Sequence, residues 1–206
     1  MTDPRDRPLA EHDLDPDPLA LFRRWFDAAA ETGTAEPEAV ALATATPDGR
    51  PSARMVLAKG IDERGFAFYT NHGSRKGGEL EANPRGALLF HWPALGRQVR
   101  VEGPVERLPR EESERYVRSR SRDSQVSALA SPQSRPVPSR EWLEERVAAL
   151  VEEHEGRDLP VREDWGGYRL VPDAWEFWQH RPNRLHDRFR YLPHPDGGWQ
   201  IERLGP

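Results

Sequence analysis

Hydrophobic positions divide the first half of the chain into one helix and a long series of short strands. Leu19, Phe22 and Trp25 recur at helical spacing and predict a first helix over about residues 17–32. Short apolar runs separated by turn residues then predict strands over residues 39–46, 51–59, 66–70, 86–91 and 97–107. A second helix is predicted to interrupt this series over about residues 74–83.

The second half of the chain begins with helical periodicity and returns to strands. We predict helices over about residues 110–120, 123–130 and 139–154, and strands over residues 168–171, 185–191 and 199–204. Several short strands with tight connections are typical of an antiparallel barrel or sandwich, and not of a fold that alternates strand and helix. Because the early and late strands are expected to complete one sheet, we predict a single α+β domain over residues 19–206.

Residues 1–18 differ from the rest of the chain in composition. They are rich in Asp, Pro and Arg and contain hardly any large apolar residue. A segment of this composition cannot bury enough surface to order itself. We therefore predict a flexible N-terminal arm.

Composition then excludes several classes of protein. At 206 residues the chain is long enough for one good core or two small domains. It has no run of about 18 apolar residues and no apolar signal core, so we expect a cytoplasmic protein without a membrane span. The absence of cysteine excludes disulfides and thiolate chemistry. A net charge of −5 argues against broad nucleic-acid binding.

The stretch from Arg54 to Lys76 carries the first sign of a binding site. Lys59 and Lys76 are the only lysines among 30 Lys and Arg residues, and both lie here. Ser74 is placed to cap the predicted helix, so Arg75 and Lys76 fall in its first turn, where positive charge opposes the helix dipole. A phosphate would resolve that conflict, because free N–H groups, the dipole and both cations would converge on it. A solvated basic helix start is the alternative.

Two further polar clusters lie in the middle of the chain. Tyr116 and Arg120 are four residues apart and share a helix face, with Ser124 at the next cap, and together they suit a second phosphate. An exposed basic helix end is the alternative interpretation. Gln98 in a predicted strand and the loop 131–134 also offer polar groups, but neither is specific by itself.

The last cluster follows Trp178. Strand alternation would point Arg184, His186 and Arg188 to one face of a strand that begins near residue 184. Three such groups repel one another unless they surround something anionic or electron-rich. Because Asp187 would lie on the opposite face, we interpret this cluster as a site.

Several common catalytic motifs are missing from the sequence. It has no Gly-x-Gly-x-x-Gly after a strand, no Walker-type loop and no Gly-x-Ser-x-Gly elbow. The seven histidines show no metal-ligand spacing, so no metal site is expected. A site rich in Arg, Lys, Gln, Ser and aromatic residues, without a nucleophile, is typical of one that holds a cofactor.

Taken in order, these segments resemble the pyridoxine/pyridoxamine 5′-phosphate oxidases, which are FMN enzymes with the FMN-binding split-barrel fold. The resemblance covers residues 17–206 and rests on the runs 54–59, 68–71, 73–76, 97–99, 119–125, 133–134, 176–179 and 184–188. Each run is weak alone, but their order is a strong signal for FMN binding. The resemblance implies an antiparallel split β-barrel with flanking helices, and a homodimer that holds FMN between its subunits.

The resemblance also implies a role for individual residues. FMN contacts are implied for Arg54, Met55, Val56, Leu57, Ala58, Lys59, Tyr69, Thr70, Arg75, Lys76, Gln98, Gln133, Ser134, Trp178 and Arg188. Contacts to a substrate phosphate are implied for Lys59, Tyr116, Arg120 and Ser124. Arg184 and His186 would lie over the pyridine ring as the catalytic residues, where they would orient the substrate and stabilise developing charge.

The reaction implied by the resemblance is the oxidation of pyridoxine or pyridoxamine 5′-phosphate to pyridoxal 5′-phosphate, with dioxygen reduced to hydrogen peroxide. The sequence does not indicate which of the two substrates is preferred. One departure concerns the arm, which has Arg5 and Arg7 but no tyrosine before Tyr69, whereas family members commonly carry Arg-x-x-Tyr there.

The Pro-rich run 15–18 is similar to the related flavin oxidases of phenazine biosynthesis, which oxidise a tricyclic dihydro acid. Two alternatives therefore stay open. One is a split-barrel flavin oxidase acting on another aromatic substrate. The other is a flavin- or pyridoxal-phosphate-binding protein with little turnover.

Overall fold

The computed structural model describes residues 4–206, and residues 1–3 of the predicted arm lie outside the described part. Residues 4–206 form five α-helices, which are α1 Pro18–Glu31, α2 Arg75–Ala82, α3 Arg110–Ser119, α4 Arg122–Ala130 and α5 Arg140–Glu153. The first five strands are β1 Ala39–Ala45, β2 Pro51–Leu57, β3 Gly60–Asp62, β4 Gly65–Asn71 and β5 Arg85–Trp92. They are followed by β6 Arg97–Arg107, β7 Trp165–Leu170, β8 Ala174–Gln179, β9 Asp187–Pro193 and β10 Trp199–Arg203.

All strand pairs are antiparallel and form one sheet. Its main path runs β10-β9-β8-β6-β5-β1-β2, with β7 pairing β4 and β6, and β3 pairing β4. The long strand β6 makes the branch, because residues 97–102 pair with β8 whereas residues 105–107 pair with β7. The antiparallel α+β architecture predicted from the sequence is confirmed.

An aromatic core fills the inner face of this curled sheet. Helix α1 places Phe22 at its centre, with its ring 5.1 Å from Phe66, 4.9 Å from Phe90 and 5.9 Å from Trp175. Alternating residues of β6 and β8 point into the same core, as Val99 and Phe177 do from opposed positions. Each fully buried Phe side chain contributes about 1.5–3 kcal/mol. The spacing that predicted α1 is therefore the spacing of its buried face.

The observed strands differ from the predicted ones at β3, β8 and β9. Strands β3 and β8 were not predicted, because β3 has only three residues and β8 is mostly apolar without clear alternation. Strand β9 begins at Asp187, and not near residue 184. Pro182 starts a 3-10 turn in which Asn183 and Arg184 take left-handed φ values of 59° and 64°, so the extended conformation cannot begin earlier.

The described part of the arm lies against the late strands. Leu9 is 4% exposed, and its N–H donates to Asp187 Oδ2 at 3.1 Å. Gln179 donates to the Arg5 carbonyl at 3.0 Å, and the Tyr191 hydroxyl donates to the Asp15 carbonyl at 3.0 Å. Apolar contacts of Leu9 and Leu14 with the core, together with these hydrogen bonds, thus place residues 4–18 beside β8 and β9. The flexibility of this arm stays a prediction.

Within residues 4–206, no helix is both long and apolar enough to cross a membrane. The cytoplasmic location stays a prediction.

Candidate functional site

A buried lysine lies where β4 leads into helix α2. Ser74 caps the helix by accepting the Gly77 N–H at 3.3 Å, which places Lys76 in the first turn. Lys76 is 8% exposed, and its Nζ donates to Thr70 Oγ1 at 2.9 Å and lies 3.5 Å from Gln133 Oε1. Burial, and then the charge of Arg54, lower the pKa of Lys76. Its polar partners within residues 4–206 are neutral, so a bound anion would compensate the charge of this cation.

Arg54 from strand β2 and Arg75 from the first turn of α2 share one carboxylate. Glu79 accepts from Arg54 Nη2 at 3.2 Å and from Arg75 Nε at 2.9 Å, and it also accepts from Thr44 and Ser52 at 2.5 Å each. Burial alone would raise the pKa of Glu79, but these four hydrogen bonds lower it to about 2. Part of the compensation that the sequence argument assigned to a phosphate therefore comes from Glu79.

A cleft of about 260 Å³ opens beside Lys76 and its partners. Its lining includes Tyr69, Thr70, Arg120, Ser124, Gln133 and Trp165. The Tyr116 ring stacks on Tyr69 at 3.6 Å between centroids, and the Arg120 guanidinium lies 5.5 Å from the centroid of the Trp165 ring. We call Lys76 and this lining, together with Tyr116, the phosphate cleft. The structure thus brings together residues from β4, α2, α3, α4 and β7, from the connection between α3 and α4, and from the loop after α4.

Tyr116 and Arg120 are not on one helix, and the prediction from the sequence that they share a helix face was wrong. Helix α3 ends at Ser119, and Arg120 is already extended, with φ −78° and ψ 156°, so the two residues do not share a helix face. They meet through Trp165, whose ring centroid lies 6.2 Å from that of Tyr116. An aromatic stack, and not helical spacing, positions this guanidinium.

Sequence reasoning missed Trp165 as part of the cleft. The signal that could have found it is the pair Gly166-Gly167, which follows it inside a strand where glycine is unfavourable. A Cβ on Gly167 would lie 2.8 Å from the Tyr69 ring, and one on Gly166 would lie 2.8 Å from the His72 ring. Gly167 therefore lets Tyr69 approach β7 closely, and Gly166 does the same for His72.

Several predicted FMN residues lie on or beside the edge strand β2. Met55 is 63% exposed on the outer face of the sheet, whereas Val56 packs against the core and Ala58 is buried. Leu57 ends the strand and is partly buried. The Lys59 ammonium pairs with Glu38 at 2.8 Å and does not line the phosphate cleft.

A second group of predicted site residues lies side by side on the outer face of the sheet. Trp178 stands opposite Gln98 on one side and opposite Arg188 on the other, so the three side chains share a face. The His186 ring centroid lies 4.5 Å from that of Trp178. We call these four residues the Trp178 cluster.

His186 is held in one orientation by the chain that precedes it. The backbone N–H of Arg181 donates to His186 Nδ1 at 3.1 Å. Burial, and then the positive charges of His180, Arg184 and Arg188, lower the pKa of His186. The neutral imidazole with its proton on Nε2 is therefore favoured.

Arg184, His186 and Arg188 do not form the uncompensated cationic strand face that was predicted from the sequence. Arg188 donates to Glu176 Oε1 at 2.9 Å, and Glu176 also accepts from Arg100 at 2.7 Å, so the neighbouring strand β8 supplies the acid. Arg184 lies in the 3-10 turn before β9, where it is exposed. Strand alternation consequently does not place Arg184 on the same face as His186 and Arg188.

Two predicted site residues have a left-handed backbone. Ser134, in the loop after α4, has φ 67°, and Arg184 has φ 64°. Residues other than glycine rarely adopt this region, and strained positions cluster at ligand-binding sites. This backbone signal could not be read from the sequence.

No hydrogen bond, ion pair or ring contact within residues 4–206 joins the phosphate cleft to the Trp178 cluster. One chain therefore presents the predicted site as two separate halves.

Comparison with known proteins identifies the family. Residues 26–152 match the family model described as pyridoxamine 5′-phosphate oxidase, and residues 165–206 match the one described as the pyridoxine 5′-phosphate oxidase C-terminal dimerisation region. The chain belongs to the pyridoxamine 5′-phosphate oxidase family. The resemblance inferred from the sequence is confirmed.

Individual members of the pyridoxamine 5′-phosphate oxidase family agree with this assignment. The pyridoxine/pyridoxamine 5′-phosphate oxidase of Rubrobacter xylanophilus is 58% identical over 198 residues, which are 96% of this chain and 91% of that protein. The structure of PhzG from Burkholderia lata, in complex with tetrahydrophenazine-1-carboxylic acid, superposes with a TM-score of 0.91 at 34% identity, covering 98% of this chain and 100% of that chain.

A more distant structure supports the fold of the family. A pyridoxamine 5′-phosphate oxidase-related, FMN-binding protein from Nostoc punctiforme has a TM-score of 0.69 at 17% identity, over 97% of this chain and 100% of that chain. The predicted split barrel is confirmed.

Proposed function

We propose that this protein is an FMN-dependent oxidase that converts pyridoxine or pyridoxamine 5′-phosphate into pyridoxal 5′-phosphate and reduces dioxygen to hydrogen peroxide. Family membership and 58% identity to a pyridoxine/pyridoxamine 5′-phosphate oxidase support the reaction. The structural observation that carries the proposal is Lys76, a buried cation with only neutral polar partners at the edge of a cleft. An enzyme whose cofactor and substrates are all phosphate esters needs such a site.

The residues around Lys76 fit the phosphate of FMN. Lys76 and the Thr70 hydroxyl would bind it directly, and Arg54 and Arg75, held by Glu79, would add positive charge beside the same helix start. Gln133 lies within reach of Thr70 and Lys76 and supplies an amide to the same position. When bound, FMN supplies the hydride-accepting and dioxygen-reactive chemistry of the enzyme.

The other end of the phosphate cleft fits the phosphate of the substrate. Arg120 presents a guanidinium fixed by its contact with Trp165, and Ser124 adds a hydroxyl from the first turn of α4. Tyr116 would close the cleft through its stack on Tyr69. Lys59 is also a proposed contact of the substrate phosphate, although its ammonium must leave Glu38 to reach it.

The Trp178 cluster supplies what the phosphate cleft lacks, which is a group to orient the pyridine ring. A neutral His186 with its proton on Nε2 would donate a hydrogen bond to the substrate, because Nδ1 is already engaged by Arg181. Arg184, exposed beside it, would lie over the same ring. Both residues would orient the substrate for hydride transfer. In a site without a protein nucleophile, such positioning supplies most of the catalysis.

We further propose that the two halves meet across a homodimer, with FMN between the subunits. The match of residues 165–206 to a dimerisation region supports this arrangement. The outer face of the sheet supports it too, because it presents Trp178 and Gln98 together with exposed Met55. Leu185, 69% exposed beside His186, is a second apolar side chain that a partner subunit would cover.

A second candidate substrate is a phenazine-type acid, which the likeness to PhzG favours. The identity to PhzG is 34%, against 58% for a vitamin-phosphate oxidase, so we rank it second. A low-turnover flavin- or pyridoxal-phosphate-binding protein is the third possibility.

One assay separates these functions. Purified protein is saturated with FMN, and peroxide release is measured with pyridoxamine 5′-phosphate, pyridoxine 5′-phosphate, unphosphorylated pyridoxamine and a dihydrophenazine carboxylate. The proposal expects turnover with the phosphorylated vitamers only. Turnover with the tricyclic acid alone would contradict the proposal and support the second candidate. Yellow protein that turns over none of these compounds would support the third.

A further inference from the structure

A second polar cavity lies between the arm, helix α1 and strand β6. It has a volume of about 220 Å³, and its lining includes Arg7, Asp13, Arg24, Trp25, Arg97 and Gln179. We call it the arm pocket. Arg97 and Gln179 alternate with Gln98 and Trp178 along β6 and β8, so they point to the opposite face of the sheet from the Trp178 cluster. The arm pocket is therefore separate from the proposed cofactor and substrate site.

Arg97 is the central cation of the arm pocket. Its Nε donates to Gln179 Oε1 at 3.0 Å, and its Cζ lies 4.5 Å from the centroid of the Trp25 ring. Burial, and then the charge of Arg7, lower the pKa of Arg97 to about 10. Within residues 4–206 no carboxylate forms an ion pair with Arg97. A partly buried guanidinium thus faces a second one, and the nearby Asp13 carboxylate offsets their charge only in part.

The acids near the arm pocket are already engaged. Asp15 pairs with Arg24 Nη1 at 2.7 Å, and Asp13 accepts the Ala10 N–H at 2.9 Å through its carboxylate. Arg24 also donates to the Asp13 carbonyl at 3.2 Å. Arg7 is exposed on the arm and forms no ion pair within the described residues. The lining consequently keeps an excess of positive charge.

We propose that the arm pocket binds a small oxyanion through the guanidinium groups of Arg7, Arg24 and Arg97. Each guanidinium offers forked N–H donors that match the oxygens of a phosphate or carboxylate. The cavity is large enough for such a group, since about 10–15 Å³ already holds one water. Because Arg7 belongs to the arm, Arg24 to α1 and Arg97 to β6, the bound anion fastens the arm to the domain.

Inorganic phosphate is the probe for this site. FMN-saturated protein is titrated with sodium phosphate against sodium chloride of equal ionic strength, by calorimetry and by thermal unfolding. Arg7→Ala and Arg24→Ala are compared with Arg23→Ala, a matched control on the next helical position, which pairs with Glu63 and does not line the pocket. We expect Arg7→Ala and Arg24→Ala to weaken binding about tenfold each, and Arg23→Ala to leave it unchanged.

Phosphate also enters the phosphate cleft, but that contribution is common to all variants, so the difference between them reports the arm pocket alone. Equal phosphate affinity and equal stabilisation in all variants would overturn the proposal, as would the absence of any phosphate effect. Arg7→Ala keeps the test decisive if Arg24→Ala unfolds, because Arg7 lies exposed on the arm. Peroxide release, which measures the proposed function, is recorded separately for each variant.

Discussion

Lys76 donates to Thr70 at 2.9 Å from a position that is 8% exposed, and the two residues lie six apart on either side of the turn into α2. The desolvated ammonium has a hydroxyl and an amide as its polar neighbours. A buried cation in such surroundings is costly unless an anion joins it. We therefore propose this helix start as the site of the FMN phosphate.

Replacing Lys76 tests that assignment. Lys76→Met keeps the apolar stem and removes the charge, so FMN affinity should fall by about 10–100-fold, the effect of one charge-assisted hydrogen bond. Quenching of flavin fluorescence measures the dissociation constant. Arg85→Met removes an exposed cation that pairs with Asp173 far from the cleft, and should leave the affinity unchanged. Unchanged affinity in Lys76→Met would refute the assignment.

Glu79 should stabilise the fold in a pH-dependent manner. Its pKa is lowered to about 2 in the folded protein, from 4.5, so its contribution is present above pH 4.5 and is lost as the pH falls towards 2. Glu79→Gln removes the negative charge beside two arginines and leaves one amide oxygen as acceptor in place of two carboxylate oxygens, and should cost about 2–3 kcal/mol at pH 7. Thermal unfolding at pH 7 and pH 3 measures both effects.

The control for Glu79 is on the same helix. Glu81 pairs with Arg107 on the surface, so Glu81→Gln should cost at most about 1 kcal/mol. A gap between wild type and Glu79→Gln that stays constant from pH 7 to pH 3 would contradict the role given to this carboxylate.

Replacing either of two glycines by alanine should change the stability of the fold, in opposite directions. A Cβ on Gly167 would lie 2.5 Å from Leu108 and 2.8 Å from the Tyr69 ring, so Gly167→Ala should displace the tyrosine and destabilise the fold by about 1–3 kcal/mol. Gly78 in helix α2 has nothing within 4 Å of its Cβ position, and Gly78→Ala should stabilise by about 0.5–1 kcal/mol. Chemical denaturation measures both, and equal effects would refute the close approach at Gly167.

The pH dependence of turnover should report His186. Its pKa is lowered by burial and by neighbouring cations, so the neutral form persists below the ordinary value of about 6.5. We expect kcat/KM for pyridoxamine 5′-phosphate to fall on the acid side with a midpoint below about 6.5, because protonation adds charge beside Arg184 and Arg188. His186→Asn should retain FMN and lose this limb. An acid limb that persists in His186→Asn belongs to another group.

The sequence was sufficient for the helices and for the order of the segments that form the site. The spacing of Leu19, Phe22 and Trp25 predicted α1, because the same residues form its buried face. Helix α5, predicted over 139–154, runs from Arg140 to Glu153. Amphipathic periodicity is a local property, so it can be read without knowledge of the fold.

Relationships between distant residues could not be predicted in this way. Glu79 neutralises Arg54 from 25 positions away, and Glu176 neutralises Arg188 from the neighbouring strand. Arg184 lies outside strand β9 because the backbone at Asn183 and Arg184 is left-handed. Each of these depends on the pairing of elements or on backbone geometry, neither of which a hydrophobic pattern encodes.

We propose that each active site combines the phosphate cleft of one subunit with the Trp178 cluster of the other. Arg120→Ala disables the cleft and His186→Asn disables the cluster, so each variant alone should show little peroxide release at low pyridoxamine 5′-phosphate. In a symmetric dimer, subunit exchange between the two should yield hybrids with one site free of either substitution.

Peroxide release by a mixture of the two variants, under conditions of subunit exchange, therefore tests this arrangement directly. If the halves meet across the dimer, peroxide release should recover to about one quarter of the wild-type rate for an equal mixture. If both halves serve the same subunit's site, each hybrid site carries one substitution, and the mixture should stay as inactive as its two components.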